Sequence, residues 1–249
     1  LERSAAMRDI IKKSRPFVDG FITINSNIAN YYLRTYAFND PVIILNACDA
    51  IEVKNSDSPL RKAISARKGD KIILYQGGFS PGRGIEDLVD AAQYGSPDWH
   101  FVFMGEGPIA SYIRLKIKQG TCGGSKVHLL PSVPRADLEV WSSGADFGVI
   151  PYRNTCLNHL YCTPNKLWEY PAAGVPIIAT GLIEIKKRID KFSCGIALPE
   201  DWLPKEFSDL LKSVSEDTFR IYREGCADLM AAESFKKNRL QLLSLFKDL

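Results

Sequence analysis

Short apolar runs recur through the middle of the chain, and this repetition limits the fold more than any other feature. The runs are residues 72–75, 101–104, 127–130, 147–150, 175–180 and 196–198. Most of them are separated by stretches that carry apolar residues at helical spacing. Strands and helices that alternate in this way form a parallel sheet with right-handed crossovers and helices on both faces. The sequence therefore predicts a doubly wound, Rossmann-like α/β domain.

The segments on either side of this region have other patterns. Residues 21–24 and 41–45 predict two short buried strands, and Ser26 can cap the helix that follows the first strand. Residues 47–70 are mostly polar and predict a linker with one short helix. After residue 203 only helical patterns remain. One face of the last helix is expected to pack on another part of the protein.

These changes in pattern divide the chain into four expected parts. Residues 1–46 come first, and residues 47–70 form the interdomain linker. Residues 71–232 form the main α/β domain, and residues 233–249 form the last helix. The chain opens on Leu1 instead of a methionine, with a helical pattern already under way. We therefore expect a fragment of a longer protein.

Composition excludes several classes of protein. The 249 residues are 45% hydrophobic, and 32 basic and 29 acidic side chains give a net charge of only +3. Nucleic acid is therefore not an expected partner. The six cysteines include no Cys-x-x-Cys pair, which favours reduced thiols over a disulfide framework or a zinc site. No apolar run reaches the roughly 20 residues of a membrane span, and no secretory signal is seen, so a cytoplasmic location is expected.

The most glycine-rich loop follows the first main strand, and its sequence is GGFSPGRG at residues 77–84. Glycines at positions such as Gly77 and Gly78 permit close backbone approach, and the helix that follows offers unpaired N–H groups. Arg83 adds a forked positive charge. This combination suits a diphosphate, and a flexible glycine turn is the alternative.

Two further loops also follow strands. Gly105 and Glu106 lie in a Gly-Glu-Gly sequence that either contacts a nucleotide or sugar through its backbone or forms a simple tight turn. Ser132 and Val133 lie between two prolines, which restrict the backbone and could present main-chain groups to the edge of a base.

The fourth loop is the most specific. Thr163 can act as N-cap of a helix whose first turn holds Asn165 and Lys166, and Gly174 can end this helix. Glu169 lies one turn deeper on the same face, where a carboxylate can accept hydrogen bonds from two ribose hydroxyls. An ordinary Lys166–Glu169 surface ion pair is the alternative.

Taken in chain order, these loops resemble the donor-binding domain of GT-B glycosyltransferases, in particular the retaining group called glycosyl transferases group 1, or family 4. The matching segments are residues 75–84, 103–107, the loop at Val133, 145–146, 164–170 (PNKLWEY) and 173–176 (AGVP). The resemblance implies that the main domain is the C-terminal domain of a GT-B fold. Residues 1–46 are then a remnant of the N-terminal acceptor domain, toward which the last helix returns.

The resemblance also implies roles for individual residues, while it assigns no catalytic residue. Glu169 would bind the ribose. The diphosphate-binding residues would be Gly77, Gly78, Arg83, Asn165 and Lys166, the base-binding residues Ser132 and Val133, and further sugar contacts Gly105, Glu106, His159 and Tyr161.

The chain departs from the family pattern at several positions. Gly78 stands where many members carry arginine, and Tyr161 stands where many carry a second glutamate. Pro171 removes one backbone N–H from the Glu169 helix, so this helix is expected to be short or kinked. His159 is either a sugar contact or a structural histidine.

The implied activity is transfer of a hexose from a UDP- or GDP-linked sugar to a saccharide or lipid-linked acceptor in the synthesis of cell-surface polysaccharide or glycoconjugate. The sugar nucleotide is a substrate, and no cofactor or metal is expected. Peripheral association with the cytoplasmic face of the membrane fits such acceptors. This fragment alone is expected to be inactive because most of the acceptor domain is missing.

Two other functions remain open. GT-B folds also serve sugar-nucleotide epimerases, although these need ionisable pairs for proton transfer or elimination. A non-catalytic nucleotide-sugar-binding module is the second alternative, and it is favoured by Tyr161 and by the missing acceptor half.

Overall fold

Eight strands form two parallel sheets in the computed structural model, which describes residues 4–50, 58–120 and 124–245. A small sheet pairs β1 (Ile22–Thr23) with β2 (Val42–Ile43). The main sheet has the order β5-β4-β3-β6-β7-β8. Its strands are β3 (Lys71–Gln76), β4 (Trp99–Met104), β5 (Lys126–Leu130), β6 (Phe147–Ile150), β7 (Ile177–Thr180) and β8 (Gly195–Leu198). All six predicted strands of the α/β domain and both earlier ones are confirmed.

Helices connect the strands as the doubly wound prediction requires, and the fold class is confirmed. The helices of the described residues are α1 (Ala5–Ser14), α2 (Ser26–Tyr36), α3 (Pro59–Ala63), α4 (Ile85–Ala91), α5 (Ala110–Gln119), α6 (Leu138–Ser142), α7 (Leu157–Leu160), α8 (Lys166–Ala172), α9 (Ile183–Phe192), α10 (Pro204–Ser213), α11 (Glu216–Ala232) and α12 (Phe235–Leu245). None of them is long and apolar enough to cross a membrane.

The sheet reverses its strand order between β3 and β6. These two strands pair only at Ile73–Phe147 and Leu74–Gly148, whereas β3 pairs with β4 along all six residues. Beyond Leu74 the carboxyl ends of β3 and β6 therefore diverge. Ligands of doubly wound sheets bind in the crevice that such a reversal opens.

Tyr170 of α8 fills this divergence from one face of the sheet. Its ring lies against Gly148, where an added Cβ would come within 2.2 Å of the ring. Its buried hydroxyl donates to the Leu74 carbonyl oxygen at 3.0 Å and accepts from the Gln76 amide at 3.1 Å. Tyr170 thus stabilises the strand ends and fixes α8 beside them.

Two predicted helix caps are wrong. Asn25, and not Ser26, caps α2, because the Asn25 side chain accepts from the Ile28 amide at 2.9 Å. Thr163 does not cap α8, which has Asn165 at its N-cap position and no side-chain cap. The Thr163 hydroxyl donates instead to the Asn46 side chain at 3.4 Å.

The Glu169 helix begins at Lys166, later than predicted, while the predicted end at Gly174 and the short length are confirmed. Gly174 follows α8 with a φ of +70°, and its amide bonds to the Pro171 carbonyl. The helix has seven residues and contains Pro171, so it is as short as expected.

The predicted linker contains a helix that packs on the main sheet. Leu60 of α3 and the nearby Ile64 are buried in the same core as Ile72. Residues 51–57 of this segment lie outside the described residues. The division of the chain into four parts stays a prediction.

The last helix contacts the segment after β2 at its first turns. The Lys236 amide donates to Asp49 at 3.0 Å, and the Asn238 side chain donates to the Leu45 carbonyl at 2.5 Å. Leu240, farther along α12, is 68% exposed, so this part of the expected apolar contact is not made within the described residues.

A chain of polar side chains lies at the amino ends of β4 and β5. His100 Nε2 is 3.0 Å from Asp70 Oδ2, and His100 Nδ1 is 3.0 Å from His128 Nε2. A neutral His100 that donates to Asp70 accepts at Nδ1, so His128 donates from Nε2. Burial, together with the neighbouring His100 and Lys126, lowers the pKa of His128 to about 4. The hydrogen bonds among Asp70, His100 and His128 are therefore made with both histidines neutral.

Removal of the Tyr170 hydroxyl should destabilise the fold. Tyr170→Phe leaves the Leu74 carbonyl and the Gln76 amide without this partner, so we expect the free energy of unfolding to fall by about 1–3 kcal/mol. Urea denaturation measures the change. Tyr222→Phe on α11 is the control, since within the described residues its hydroxyl makes no hydrogen bond. Equal stability of Tyr170→Phe and the wild type would contradict this role.

Acid should weaken the fold through His128. The unfolded chain binds a proton at the usual histidine pKa of about 6.5, whereas folded His128 does so only near 4. The free energy of unfolding should therefore fall as the pH drops from about 6.5 toward 4. A plot of the free energy of unfolding against pH should be flatter across this range for His128→Asn than for the wild type, and equal slopes would contradict this role of His128. Asp70, whose pKa is lowered to about 2 mainly by the Arg67 amide, contributes only to losses at lower pH.

Candidate functional site

The loops that follow β3, β4, β5 and β6 lie at one edge of the main sheet, beside the start of α8. This edge is the carboxyl end of parallel strands, where the sequence predicted the site. The loop residues 77–84 and 105–107 lie side by side because β3 and β4 are neighbours.

The glycines of these two loops let the backbones approach each other. The Gly77 amide donates to the Met104 carbonyl at 2.9 Å, and the Phe79 amide donates to the Glu106 carbonyl at 2.7 Å. A Cβ on Gly105, whose φ is +153°, would lie 2.0 Å from the Gly77 carbonyl oxygen. Gly105 is therefore required by loop packing, and any contact with a sugar stays a prediction.

The segment after β6 docks on the far end of the glycine-rich loop. A Cβ on Gly84, with a φ of +65°, would lie 1.9 Å from the Pro151 carbonyl oxygen. The Arg153 amide donates to the Gly82 carbonyl at 3.1 Å. Backbone contacts thus hold the loop on both sides, while the choice between a diphosphate site and a glycine turn stays open. Gly78 is exposed, and a Cβ there would meet nothing within 4 Å.

Two cations meet at this loop. Lys166 is only 7% exposed, and its Nζ lies 3.0 Å from where a Gly77 Cβ would stand. Nζ is 5.2 Å from the Tyr75 ring centroid and 3.4 Å from the Tyr152 hydroxyl. Arg83 Nη1 donates to the same hydroxyl at 3.1 Å. The arrangement concentrates positive charge beside the Gly77 backbone.

The environment of Lys166 makes its charge sensitive to pH. Burial, reinforced by the nearby Arg83 charge and opposed by Glu169, lowers the pKa of Lys166 to about 8. Desolvation and a like charge both disfavour the ammonium form. An anion bound at Gly77 would favour this form again.

Glu169 lies one turn deeper in α8 and is 8% exposed. Its Oε2 accepts from Gln76 Nε2 at 2.9 Å, and Gln76 Oε1 accepts from the Ser142 hydroxyl at 2.5 Å. Within the described residues Glu169 makes no ion pair with Lys166. The alternative of a surface Lys166–Glu169 pair is therefore wrong, because both side chains are buried.

Glu169 borders an open cavity of about 310 Å³. Asn165 and Arg135 also line it, and Arg135 is ion-paired with Glu139. Lys166 is outside this lining, so the cavity and the cation pair are distinct parts of one edge of the sheet. The remaining lining residues are Asn46, Ala47, Cys48, Asp49 and Phe235.

The two residues predicted to meet a base lie in the loop after β5 and are not among the residues that line this cavity. Val133 packs partly buried against the core, and the Ser132 hydroxyl donates to Glu106 Oε1 at 2.8 Å. Glu106 is otherwise exposed. Contacts of Val133 and Ser132 with a base, and of Glu106 with a sugar, stay predictions.

The loop before α8 is tied to the N-terminal part of the chain. Asn25 Nδ2 donates to the Tyr161 carbonyl at 2.8 Å. Asn46 Nδ2 donates to the Thr163 carbonyl at 2.9 Å and to Asn165 Oδ1 at 2.8 Å. The predicted contact of Asn165 with phosphate and that of Tyr161 with sugar are not tested by these bonds.

His159 has protein partners that hold its ring. His159 Nδ1 is 2.9 Å from the Arg153 carbonyl and 3.0 Å from the Thr155 hydroxyl. Its ring centroid lies 5.6 Å from that of Tyr152. The structural alternative accounts for these contacts, while its contact with a sugar stays a prediction.

Comparison with known protein families identifies the family to which this α/β domain belongs. Residues 70–217, more than half of the chain, match the family described as glycosyl transferases group 1. The chain belongs to this family. It is a glycosyltransferase domain with part of a GT-B fold, as the loops indicated.

Individual relatives of this glycosyltransferase domain are distant. The putative teichuronic acid biosynthesis glycosyltransferase TuaH of Bacillus subtilis (strain 168) is 28% identical over 138 residues, which cover 53% of this chain and 32% of TuaH. Anabaena HepE, solved with UDP and glucose, matches with a TM-score of 0.74 and 15% identity over 98% of this chain and 67% of that one. A point mutant of S. aureus TarM, solved in a complex that includes UDP, matches with a TM-score of 0.73, 13% identity and coverage of 98% and 46%. The chain thus spans about a third of TuaH and less than half of TarM.

Sequence reasoning missed four residues of the candidate site: Gln76, Tyr152, Arg135 and Asn46. Gln76, Tyr152 and Asn46 contact partners that are distant in the sequence, such as Glu169 for Gln76. Arg135 pairs with Glu139, four residues away. In the described ranges no group of three or more His, Cys, Asp and Glu side chains could hold a metal ion. The cations beside the Gly77 backbone are Arg83 and Lys166, whereas Arg135 lines the cavity and is paired with Glu139.

Anion binding at the cation pair should weaken in alkali. Lys166 loses its charge above a pKa of about 8, whereas Arg83 keeps its charge. The affinity for UDP should therefore fall between pH 7.5 and 9.5, by up to about tenfold per pH unit. Isothermal titration calorimetry at several pH values measures the profile. Lys166→Met should bind more weakly and show no such decline, and a flat wild-type profile would contradict the role of Lys166.

Proposed function

We propose that this chain is the donor-binding part of an enzyme that transfers a hexose from a nucleoside diphosphate sugar to a saccharide or lipid-linked acceptor. The observation that carries the proposal is the placement of Arg83 and Lys166 beside the Gly77 backbone, with Glu169 one turn deeper in α8. Two cations at a glycine loop fit a diphosphate, and a carboxylate fits the ribose hydroxyls next to it.

Within this proposal the nucleoside occupies the 310 Å³ cavity. Glu169 there has one oxygen held by Gln76, which leaves its other oxygen to accept from a ribose hydroxyl. Val133 and Ser132 would meet the base, and Arg135 lines the same cavity. Asn165 lines this cavity and directly precedes Lys166, which lies beside the Gly77 backbone.

The chemistry assigned to these residues is stabilisation of the leaving group. When the bond between the sugar and the diphosphate breaks, negative charge grows on the diphosphate oxygens. Arg83 and Lys166 are fixed before this happens, so they stabilise the transition state without reorganising. No catalytic residue is assigned to the sugar itself.

The relatives support the proposed nucleotide-sugar donor and the proposed polysaccharide product. HepE was solved with UDP and glucose, and TarM was solved with UDP, which favours a uridine nucleotide as the donor. TuaH is named for teichuronic acid biosynthesis, which favours a cell-surface polysaccharide as the product. Residues 1–46 would then be the part of an acceptor domain that contacts the donor loops.

A panel of nucleotides tests the donor site. We expect calorimetry to show that the protein binds at least one of UDP, GDP and ADP, with UDP favoured. Binding of none of them would overturn the proposal. The full-length enzyme should release the same nucleoside diphosphate from its sugar nucleotide when an acceptor is present. An epimerase would instead convert the sugar nucleotide without an acceptor.

Glu169 should confer preference for a ribose over a deoxyribose. Glu169→Gln weakens an acceptor of two hydroxyl hydrogen bonds, so we expect UDP to bind about tenfold more weakly. The variant should also lose most of the preference of the wild type for UDP over 2′-deoxy-UDP. Glu184→Gln is the matched control, because Glu184 is also buried but pairs with Arg188 on α9. An unchanged preference in Glu169→Gln would rule out the ribose contact.

A further inference from the structure

Tyr152 lies between the two cations of the site, and no role follows for it from the family resemblance. Its hydroxyl oxygen accepts from Arg83 at 3.1 Å and from Lys166 at 3.4 Å. The Arg83 guanidinium carbon also lies 5.1 Å from the Tyr152 ring centroid, and Lys166 Nζ lies 5.8 Å from it. One side chain therefore contacts both positive charges.

These cations have no counter-ion among the described residues. No carboxylate lies within 4 Å of the Arg83 or Lys166 nitrogens there, although other cations of the chain, such as Arg153 and Arg188, pair with acids. Two like charges repel, and a buried charge without a partner is unfavourable. Such a pair becomes favourable when an anion binds between the two groups.

The backbone fixes Tyr152 firmly enough to hold the pair. Pro151 before it is in contact with Gly84, and Arg153 after it donates to the Gly82 carbonyl. The Tyr152 side chain is 5% exposed, so packing restricts its ring. The hydroxyl is therefore held at a set position relative to the glycine-rich loop.

The Tyr152 hydroxyl has one hydrogen left to donate to a ligand. The oxygen accepts from both cations, and its own hydrogen has no acceptor in residues 4–50, 58–120 and 124–245. A phenolic hydroxyl can donate as well as accept. An anion beside Arg83 and Lys166 would meet this hydrogen as a third donor.

We propose that Tyr152 positions Arg83 and Lys166 as a paired site for the two phosphates of a diphosphate and donates its hydroxyl hydrogen to the bound anion. This inference rests on the proposed function in so far as the diphosphate belongs to a sugar nucleotide. Under this inference Tyr152 is a positioning residue that makes the site prefer two adjoining phosphates to a single one.

Tyr152→Phe tests the inference with little disturbance. The variant keeps the ring, its volume and its contacts with the cations, and it removes only the hydroxyl. Tyr112→Phe is a matched control, because the Tyr112 hydroxyl also bonds to a charged side chain, Asp90, and its ring also lies near a lysine, Lys116. Circular dichroism verifies that both variants are folded.

The probe is inorganic pyrophosphate, with orthophosphate for comparison, titrated against the protein and followed by ³¹P NMR. We expect Tyr152→Phe to bind pyrophosphate about tenfold more weakly than the wild type, since hydrogen bonds to charged groups are lost. Its preference for pyrophosphate over orthophosphate should fall as well. Tyr112→Phe should behave as the wild type. Wild-type affinity in Tyr152→Phe, or no pyrophosphate binding by the wild type, overturns the inference.

A double-mutant cycle separates positioning from a general structural effect. In a Lys166→Met background, Tyr152→Phe should lower pyrophosphate affinity by less than about threefold, because one of the two positioned cations is already absent. Equal effects of Tyr152→Phe in both backgrounds would contradict a shared role.

Nucleotide titrations keep this inference distinct from the donor proposal. Pyrophosphate binding that depends on Tyr152, without binding of UDP, GDP or ADP, would support the inference and overturn the donor proposal. Nucleotide binding with wild-type affinity by Tyr152→Phe would support the donor proposal and overturn the inference about Tyr152.

Discussion

The hydroxyl of Tyr170 is the interaction on which fold and site both depend. It lies 3.0 Å from the Leu74 carbonyl oxygen of β3 and 3.5 Å from the Val149 carbonyl oxygen of β6, where the sheet reverses its order, and it accepts from the backbone of Gln76. The side chain of that same Gln76 holds Glu169, the next residue back along α8. The position of α8 and the orientation of the Glu169 carboxylate are therefore fixed together, through neighbouring contacts with Gln76.

The sequence predicted the alternation of strands and helices because burial of one face gives each element a periodic pattern of apolar residues. It could not predict Tyr152 or Gln76, because their partners Lys166 and Glu169 lie on α8, distant in the sequence, and leave no local pattern. The wrong cap at Thr163 has the same cause. A hydroxyl that could bond within its own turn bonds instead to Asn46, 117 positions away in the chain.

Glycine-rich loops were interpreted from sequence as surfaces for a ligand, and the structure divides them into two kinds. Gly84 and Gly105 are needed because another backbone occupies the space of a side chain. Gly78 faces open space, so nothing in the described part of the protein requires its small size. Gly84 and Gly105 thus support the loops themselves, and the surface proposed for a ligand is the Gly77 backbone with its cations.

The two asparagine contacts before α8 have a consequence for how the protein is divided. Asn25 and Asn46 supply amides to the backbone of residues 161–163, and Asn46 also bonds to the side chain of Asn165. A shorter protein that began at residue 58 would keep the whole six-stranded sheet yet release this loop. The boundary of the folded sheet and the boundary of the proposed binding unit are therefore different, and the proposed donor site depends on a segment outside the sheet.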